Sequence, residues 1–177
     1  MAAVVVIAEM NGPAATSAET VDPANLNFGS TDDAELDPAA HPLTAQVDGH
    51  SYEKWIRFYL SDLGTSSVVD NFKTWVSDLG GGYGTGESMS TNARESGYAA
   101  AAYPAGGPVD TTSTDATESM PETEPSGPNV GIAGSLAGSL TSAPAYSDWL
   151  VLQLNVSDLT PAGSLNQKTI TFQYDEQ

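Results

Sequence analysis

Cysteine is absent from this chain, which excludes disulfides and thiolate chemistry together. Basic residues are almost absent as well. Lys and Arg number 5 against 23 Asp and Glu, for a formal net charge of −18. Phosphate recognition needs clustered Lys and Arg, so nucleic acid is not an expected partner. Lys54, Arg57 and Lys73 are neighbours in sequence but are outnumbered by the acids around them. Long apolar runs are missing too, and no stretch reaches the roughly 20 residues of a transmembrane helix. Residues 1–9 are apolar for only a few positions and lack the positive n-region and the length of a signal peptide. No membrane contact or export is expected. The 2 histidines, His41 and His50, stand in a Pro-rich and turn-rich stretch without a Cys or a second His pair. That pattern suits core or surface imidazoles rather than a transition-metal site.

What the chain has in abundance is acid, spread over nearly its whole length rather than gathered in a tail. A large single-sign field repels itself and destabilises a compact state in dilute buffer. In concentrated salt the Debye length falls to roughly 3 Å, and that repulsion is screened. A carboxylate-covered surface with almost no lysine therefore points to a halophile, archaeal, or to one of its viruses. Charge identifies the habitat and says nothing of the task.

The length of 177 residues suits one domain, and an apolar content of 40% is enough for a core. Alanine supplies much of that fraction, so the core must come from a few dense runs. Residues 3–8 form a short β-branched run that ends at the turn signal Asn11-Gly-Pro. Residues 14–49 are rich in Ala, Thr, Asp and Pro, and their X-Pro steps leave little room for regular structure.

Residues 51–60 are the densest segment. At period two, Tyr52, Lys54, Ile56, Phe58 and Leu60 share one face, and Glu53, Trp55, Arg57 and Tyr59 share the other. The pattern predicts a strand with one face on the core and one at a surface or partner. Residues 68–76 repeat it. The glycine-rich residues 80–86 read as a loop, since the polar stretch that follows makes a poor helix for a dinucleotide fingerprint. Residues 98–103, between Gly97 and Pro104, are too few for a stable helix and read as strand. Residues 104–130 form a long Pro/Gly-rich loop, either hiding an edge strand or ordering against a neighbour. The tandem Ala-Gly-Ser-Leu within 131–140 reads as extended, because paired glycines cost a helix about 1 kcal/mol each. Residues 148–156 and 168–174 read as strands, the first apolar on both faces and therefore central.

The search for chemistry is brief. With this many carboxylates, chance proximity makes any one pair weak evidence of acid–base machinery. No Gly-x-Ser-x-Gly elbow is present. No enzyme and no cofactor is expected. Asp32, Asp33 and Asp37 could offer oxygen ligands to a structural cation, although the spacing and glycine of an EF-hand loop are missing. The sequon Asn155-Val-Ser falls where a strand ends. Trp55, Trp75 and Trp149 each lie in an expected strand, as core or as a line of rings for sugar or protein contact.

Three segments carry a family likeness: Tyr52-Glu-Lys-Trp-Ile-Arg-Phe, Asp70-Asn-Phe-Lys-Thr-Trp, and an ending that runs from Gly134-Ser-Leu-Ala-Gly-Ser-Leu through Tyr146-Ser-Asp-Trp-Leu-Val-Leu-Gln-Leu to Thr171-Phe-Gln-Tyr-Asp-Glu. Across residues 42–177 the chain resembles small virion structural proteins of tailed double-stranded DNA viruses. The resemblance implies a β-sandwich that decorates or extends a particle, and it carries no active-site residue onto this chain.

The expectations are then as follows. The fold is all-β, a single β-sandwich or jelly roll of about seven strands with long Pro/Gly-rich loops. Residues 1–44 are a strand and extended arm, and 45–177 the sandwich with its loop at 104–130. The protein is a capsid-surface decoration or turret subunit, or else a neck, tail or baseplate component. It acts as a homo-oligomer in the virion beside the major capsid protein or other virion proteins, assembled in the cytoplasm of a halophilic host. Val4, Val5, Val6, Ile7, Trp55, Arg57 and Tyr59 are the expected contact residues, with Val4–Ile7 able to add a strand to another subunit's sheet. A carbohydrate- or receptor-binding module using exposed aromatics is the alternative of a different class.

Overall fold

The computed structural model describes residues 1–13, 15–45, 49–78, 83–95, 97–98, 116–163 and 167–177. All of its regular elements are strands: β1 (Val4–Asn11), β2 (Ala18–Val21), β3 (Gly49–His50), β4 (Lys54–Asp62), β5 (Val69–Asp78), β6 (Glu87–Glu95), β7 (Glu118–Ser119), β8 (Ala145–Tyr146), β9 (Trp149–Val156) and β10 (Lys168–Glu176). Every pairing is antiparallel. The all-β expectation holds.

The larger sheet has eight strands in the order β2-β1-β4-β9-β6-β7, with β3 beside β9 and β8 beside β4. Its spine is one long ladder with two interruptions, each bridged by a serine. Ser51 Oγ accepts the Leu154 amide at 3.0 Å, and Ser147 Oγ accepts the Phe58 amide at 3.0 Å. Each hydroxyl donates in turn to the carbonyl of the next residue, Tyr52 or Asp148, at 2.7 Å. The hydroxyls stand in for missing ladder carbonyls, so the buried amides opposite keep a partner.

The smaller sheet pairs β5 with β10. A bulge near Asp175 sets two β5 residues against one of β10, and Asn71 takes a left-handed φ of 52° there. Asn tolerates that region, and its Nδ2 donates to Asp175 Oδ2 at 2.6 Å. The bulge shifts the phase of β5, so that Val69 and Phe72 both reach the core.

The far edge of β5 is closed by residues 121–140. Val69 and Leu140 form an isolated bridge, and Pro121 O accepts the Val76 amide at 2.8 Å. Asn129 uses its side chain as a strand would use backbone: Oδ1 accepts from Thr74 N and Nδ2 donates to Thr74 O, both at 2.8 Å.

The two sheets share one core. Ile56, Phe58 and Leu60 of β4 and Leu150 and Leu152 of β9 pack with Phe72 and Val76 of β5. Ile170, Phe172 and Tyr174 of β10 close it from the edge, half-buried. The Phe58 ring meets Phe72 edge-on at 4.8 Å and Phe172 at 5.6 Å. Leu26 and Phe28 pack on the same core, so the segment expected as an arm runs along the folded body.

Two expectations change, and one alternative is decided. Residues 87–95 form β6, which the sequence does not announce. Residues 131–140 are mostly turn, because Ala133 (φ 50°) and Gly134 (φ 80°) take left-handed conformations that no strand sustains. The loop at 104–130 contains the edge strand β7, which pairs Ser90 and Thr91 of β6. Residues 80–82, 99–103 and 104–115, on which other expectations fall, lie outside the described residues.

Candidate functional site

The face of the larger sheet that points away from the smaller one gathers the chemistry. Register brings Met10, Ala8 and Val6 of β1 opposite Trp55, Arg57 and Tyr59 of β4, and Tyr59 opposite Tyr146 of β8. On the outer side of β1, Glu19 and Val21 of β2 stand beside Met10 and Ala8. The alternation of β4 at period two puts Trp55, Arg57 and Tyr59 together here and leaves Ile56, Phe58 and Leu60 for the core.

Burial falls along this face. At one end Trp55 (1% exposed), Trp149 and Val151 form a second core with Ala116, against which Met10 and Tyr98 pack. Trp55 meets Tyr98 at 5.4 Å and Trp149 at 6.4 Å, both edge-on, and Trp55 Nε1 donates to Glu53 Oε2 at 3.0 Å. The Tyr98 hydroxyl donates to the Gly12 carbonyl. Burial and the Asp32 charge push that phenol up to about 12.

In the middle lies Arg57. Its guanidinium carbon sits 3.5 Å from the Tyr146 ring centre and 4.1 Å from that of Trp149. Its Nε and Nη2 both donate to Glu19 Oε1, at 3.1 and 2.5 Å. Tyr146 donates its hydroxyl to the other oxygen of Glu19 at 3.2 Å. Burial first, then the charge and hydrogen bond of Glu19, raise the Tyr146 phenol, with Arg57 opposing. The phenol therefore stays protonated and donating.

At the open end Tyr59 stacks on Tyr146 at 4.8 Å with planes 21° apart, both half-buried. Val4 (41%) and Val21 (46%) are among the few exposed large apolar side chains. The arrangement is a partly exposed amphipathic surface. Arg57 has its charge matched by Glu19 and its faces covered by rings, so the cluster offers rigid, flat, amphipathic area at small entropic cost.

Of the expected contact residues, the structure brings Val4, Val6, Arg57 and Tyr59 to this face. Val5 and Ile7 pack on the main core. Val4–Ile7 is paired with β4 on one side, and on the other side the β2 ladder reaches only Ala8–Asn11. Trp55 is interior, because Tyr98 and Ala116 cover it, and this removes it from the surface. Trp149 is likewise buried, at 5% exposed.

The acidic loop does not converge. Asp32 accepts from Asn11 Nδ2 and Gly12 N, both at 2.8 Å, Asp33 from Thr31 Oγ1 at 3.2 Å, and Asp37 from Ala39 N at 2.9 Å. Asp33 and Asp37 close their own turns, and Asp32 ties the loop to the end of β1. Among the described residues no group of three or more His, Asp or Glu could hold a metal ion. His50 Nδ1 meets Asn155 Oδ1 at 2.7 Å, and Asn155 Nδ2 donates to Ser90 Oγ at 2.9 Å, so the sequon asparagine is a ladder partner.

Sequence reasoning missed two partners and one buried pair. Glu19 lies in a stretch read as irregular, and Tyr146 was visible only within the longer Tyr-Ser-Asp-Trp segment. The period-two pattern sets Lys54 on the face of Ile56, Phe58 and Leu60 and gives it no partner. It reaches Glu9 Oε1 at 2.5 Å, with side-chain exposures of 5% and 0%, and donates to the Asp33 carbonyl at 3.1 Å. Only the charge complement of β1 and β4 in register could have signalled that pair.

Among the described residues no helix is long and apolar enough to cross a membrane. No protein-family model, no curated protein and no solved structure matches the chain.

Proposed function

We propose that this chain is a non-enzymatic structural subunit of a tailed double-stranded DNA virus of a halophilic archaeon. It is set on the capsid surface as a decoration or turret protein and works as a homo-oligomer beside the major capsid protein. The observation that carries this reading is the open end of the outer face. Tyr59, Tyr146, Val4 and Val21 leave apolar and aromatic area uncovered on a chain of net charge −18. Such area on an otherwise acidic surface suits contact with another protein. The resemblance of residues 42–177 to virion proteins and the brine-adapted charge supply the setting.

Mass spectrometry of purified virions is expected to find the protein in many copies, in the capsid fraction. Absence from virions overturns the reading, and recovery with tails alone moves the subunit to the neck or tail. Salt gives an independent check on the setting. Transfer from molar KCl to dilute buffer is expected to lower the melting temperature, because the screening length grows from roughly 3 to 10 Å. Unchanged melting contradicts the halophile.

The Tyr59–Tyr146 stack favours one second reading, a glycan platform. Glycan binding that vanishes in a folded Tyr59→Ala variant would establish it. The buried Trp55 and Trp149 play no part in that test.

A further inference from the structure

Among the described residues, the strand β10 has a partner strand on one side, and no strand pairs with its other edge along the nine residues Lys168–Glu176. The direction of its free backbone groups follows from β5. Thr74, Val76 and Phe72 turn their amides or carbonyls away from β10, towards Asn129, Pro121 and Val130. The bonds to β10 therefore come from Lys73, Trp75 and Ser77, which face Gln173, Thr171 and Thr169. By alternation, Ile170, Phe172 and Tyr174 aim their N–H and C=O groups outwards.

An edge of this length, rich in β-branched and aromatic residues and free of proline, is a template for another strand. Its charge pattern selects which one. Lys168, whose ammonium is held at 3.0 Å by Glu87 of the same chain, stands at one end. Asp175 and Glu176, bonded to Asn71 and to Ala3 N and Ser66, stand at the other. The pattern therefore acts as a field along the edge rather than as new ion pairs. Laid antiparallel against a second copy of itself about Phe172, it sets Lys168 opposite Glu176, Thr169 opposite Asp175 and Ile170 opposite Tyr174. Phe172 then faces its own twin. The three residues with outward backbone groups become the hydrogen-bonded pairs of the new ladder. A parallel arrangement would set lysine on lysine and acid on acid.

The geometry points to a twofold homodimer in which β10 of each copy pairs with β10 of the other, joining two small sheets into one of four strands in the order β5-β10-β10-β5. The pairing is isologous, so it closes. It also covers the half-buried Ile170, Phe172 and Tyr174. The inference rests on the homo-oligomer of the proposed function and gives it a surface, independent of any particle. Because each copy carries −18, association must strengthen as salt screens the repulsion.

The test uses the full chain in molar KCl. Sedimentation equilibrium is expected to give twice the 18.3 kDa chain mass, falling towards the single-chain value in dilute salt. Register is read with single cysteines, since the native chain has none. Thr171 of one copy faces Gln173 of the other in a non-hydrogen-bonded pair, with Cα atoms about 4.5 Å apart, inside disulfide range. Mixing Thr171→Cys with Gln173→Cys under mild oxidant is expected to yield covalent dimer. Either variant alone is expected to yield little. Both positions are half-buried, and circular dichroism confirms folding of each variant. A monomer in molar KCl, or cross-linking of Thr171→Cys alone as fast as the mixture, overturns the dimer. Neither result touches the virion assignment, which is read from particle composition.

Discussion

The two faces of the larger sheet are closed by different means. The inner face is covered by the chain's own second sheet together with Met120, Val130, Ile132 and Leu140, and Phe58, Phe72 and Phe172 meet there at close edge-on contacts. Among the described residues the outer face is covered at one end, by Tyr98 and Ala116, and runs through Arg57 to the half-buried Tyr59 and Tyr146. One face is a core that depends on shape. The other is a gradient in which a cation, a carboxylate and rings hold each other in place while keeping area available. Apolar burial is concentrated on the first, and the second is where the proposed contact falls.

Substitutions should reveal that division. The largest loss is expected from Phe58→Ala, which empties the middle of the inner face. A cost of about 3–5 kcal/mol by denaturant unfolding in molar KCl is the expectation. A loss no greater than that of an outer-face substitution would refute the division. Next comes Lys54→Met, which strands the buried Glu9 carboxylate at the end of the inner face. About 3 kcal/mol is expected, largely recovered when Glu9→Leu is added, since an apolar pair replaces a buried ion pair at little cost. The double variant would have to remain as unstable as the single one for the pair to count as a net stabiliser.

Arg57→Ala should cost less, about 1 kcal/mol, because its ion pair with Glu19 is partly exposed and the ring contacts add modestly. Its larger effect is expected on tyrosine fluorescence, as the Tyr59–Tyr146 stack loses its clamp.

The smallest effect is expected from alkali. The Tyr98 phenol is raised from 10.0 to about 12, so the unfolded chain ionises first. Stability should hold below pH 10 and fall as pH rises towards about 12. Tyr98→Phe should flatten that decline, measured as melting temperature against pH. Tyr83, also raised to about 12 by burial and by Glu122 and Glu87, adds the same sign and stays in the variant as background.

The legibility of the chain follows the same contrast. β4, β9 and β10 could be read because their apolar residues alternate or run together, and a face buried evenly leaves a regular trace. β9 was readable as central for the same reason, and it lies between β4 and β6. β6 could not be read: along Glu87–Glu95 only Met89 and Ala93 contribute apolar atoms to the core, too few for a period to stand out.

On the outer face, Trp55 and Tyr59 occupy equivalent positions in the sequence pattern, yet one is sealed and the other open. The cover over Trp55 comes from Tyr98 and Ala116, far along the chain, and no local pattern encodes it. Arg57 and Tyr59 could be singled out as contact residues. Glu19 and Tyr146, which hold them, could not, because their pairing depends on register between distant strands.

Asn129 decides more than the tidiness of one loop. By presenting an amide in place of a strand, it helps to end the small sheet at β5 and leaves β10, among the described residues, as that sheet's one unpaired edge. In the vocabulary of polymer chemistry, the small sheet is monofunctional: two such units combine and the reaction terminates. Were the β5 edge uncapped, the same sheet would be bifunctional, and pairing would propagate into an open-ended ribbon. Asn129, with Pro121, Val130 and Leu140, thus sets the valence of the small sheet.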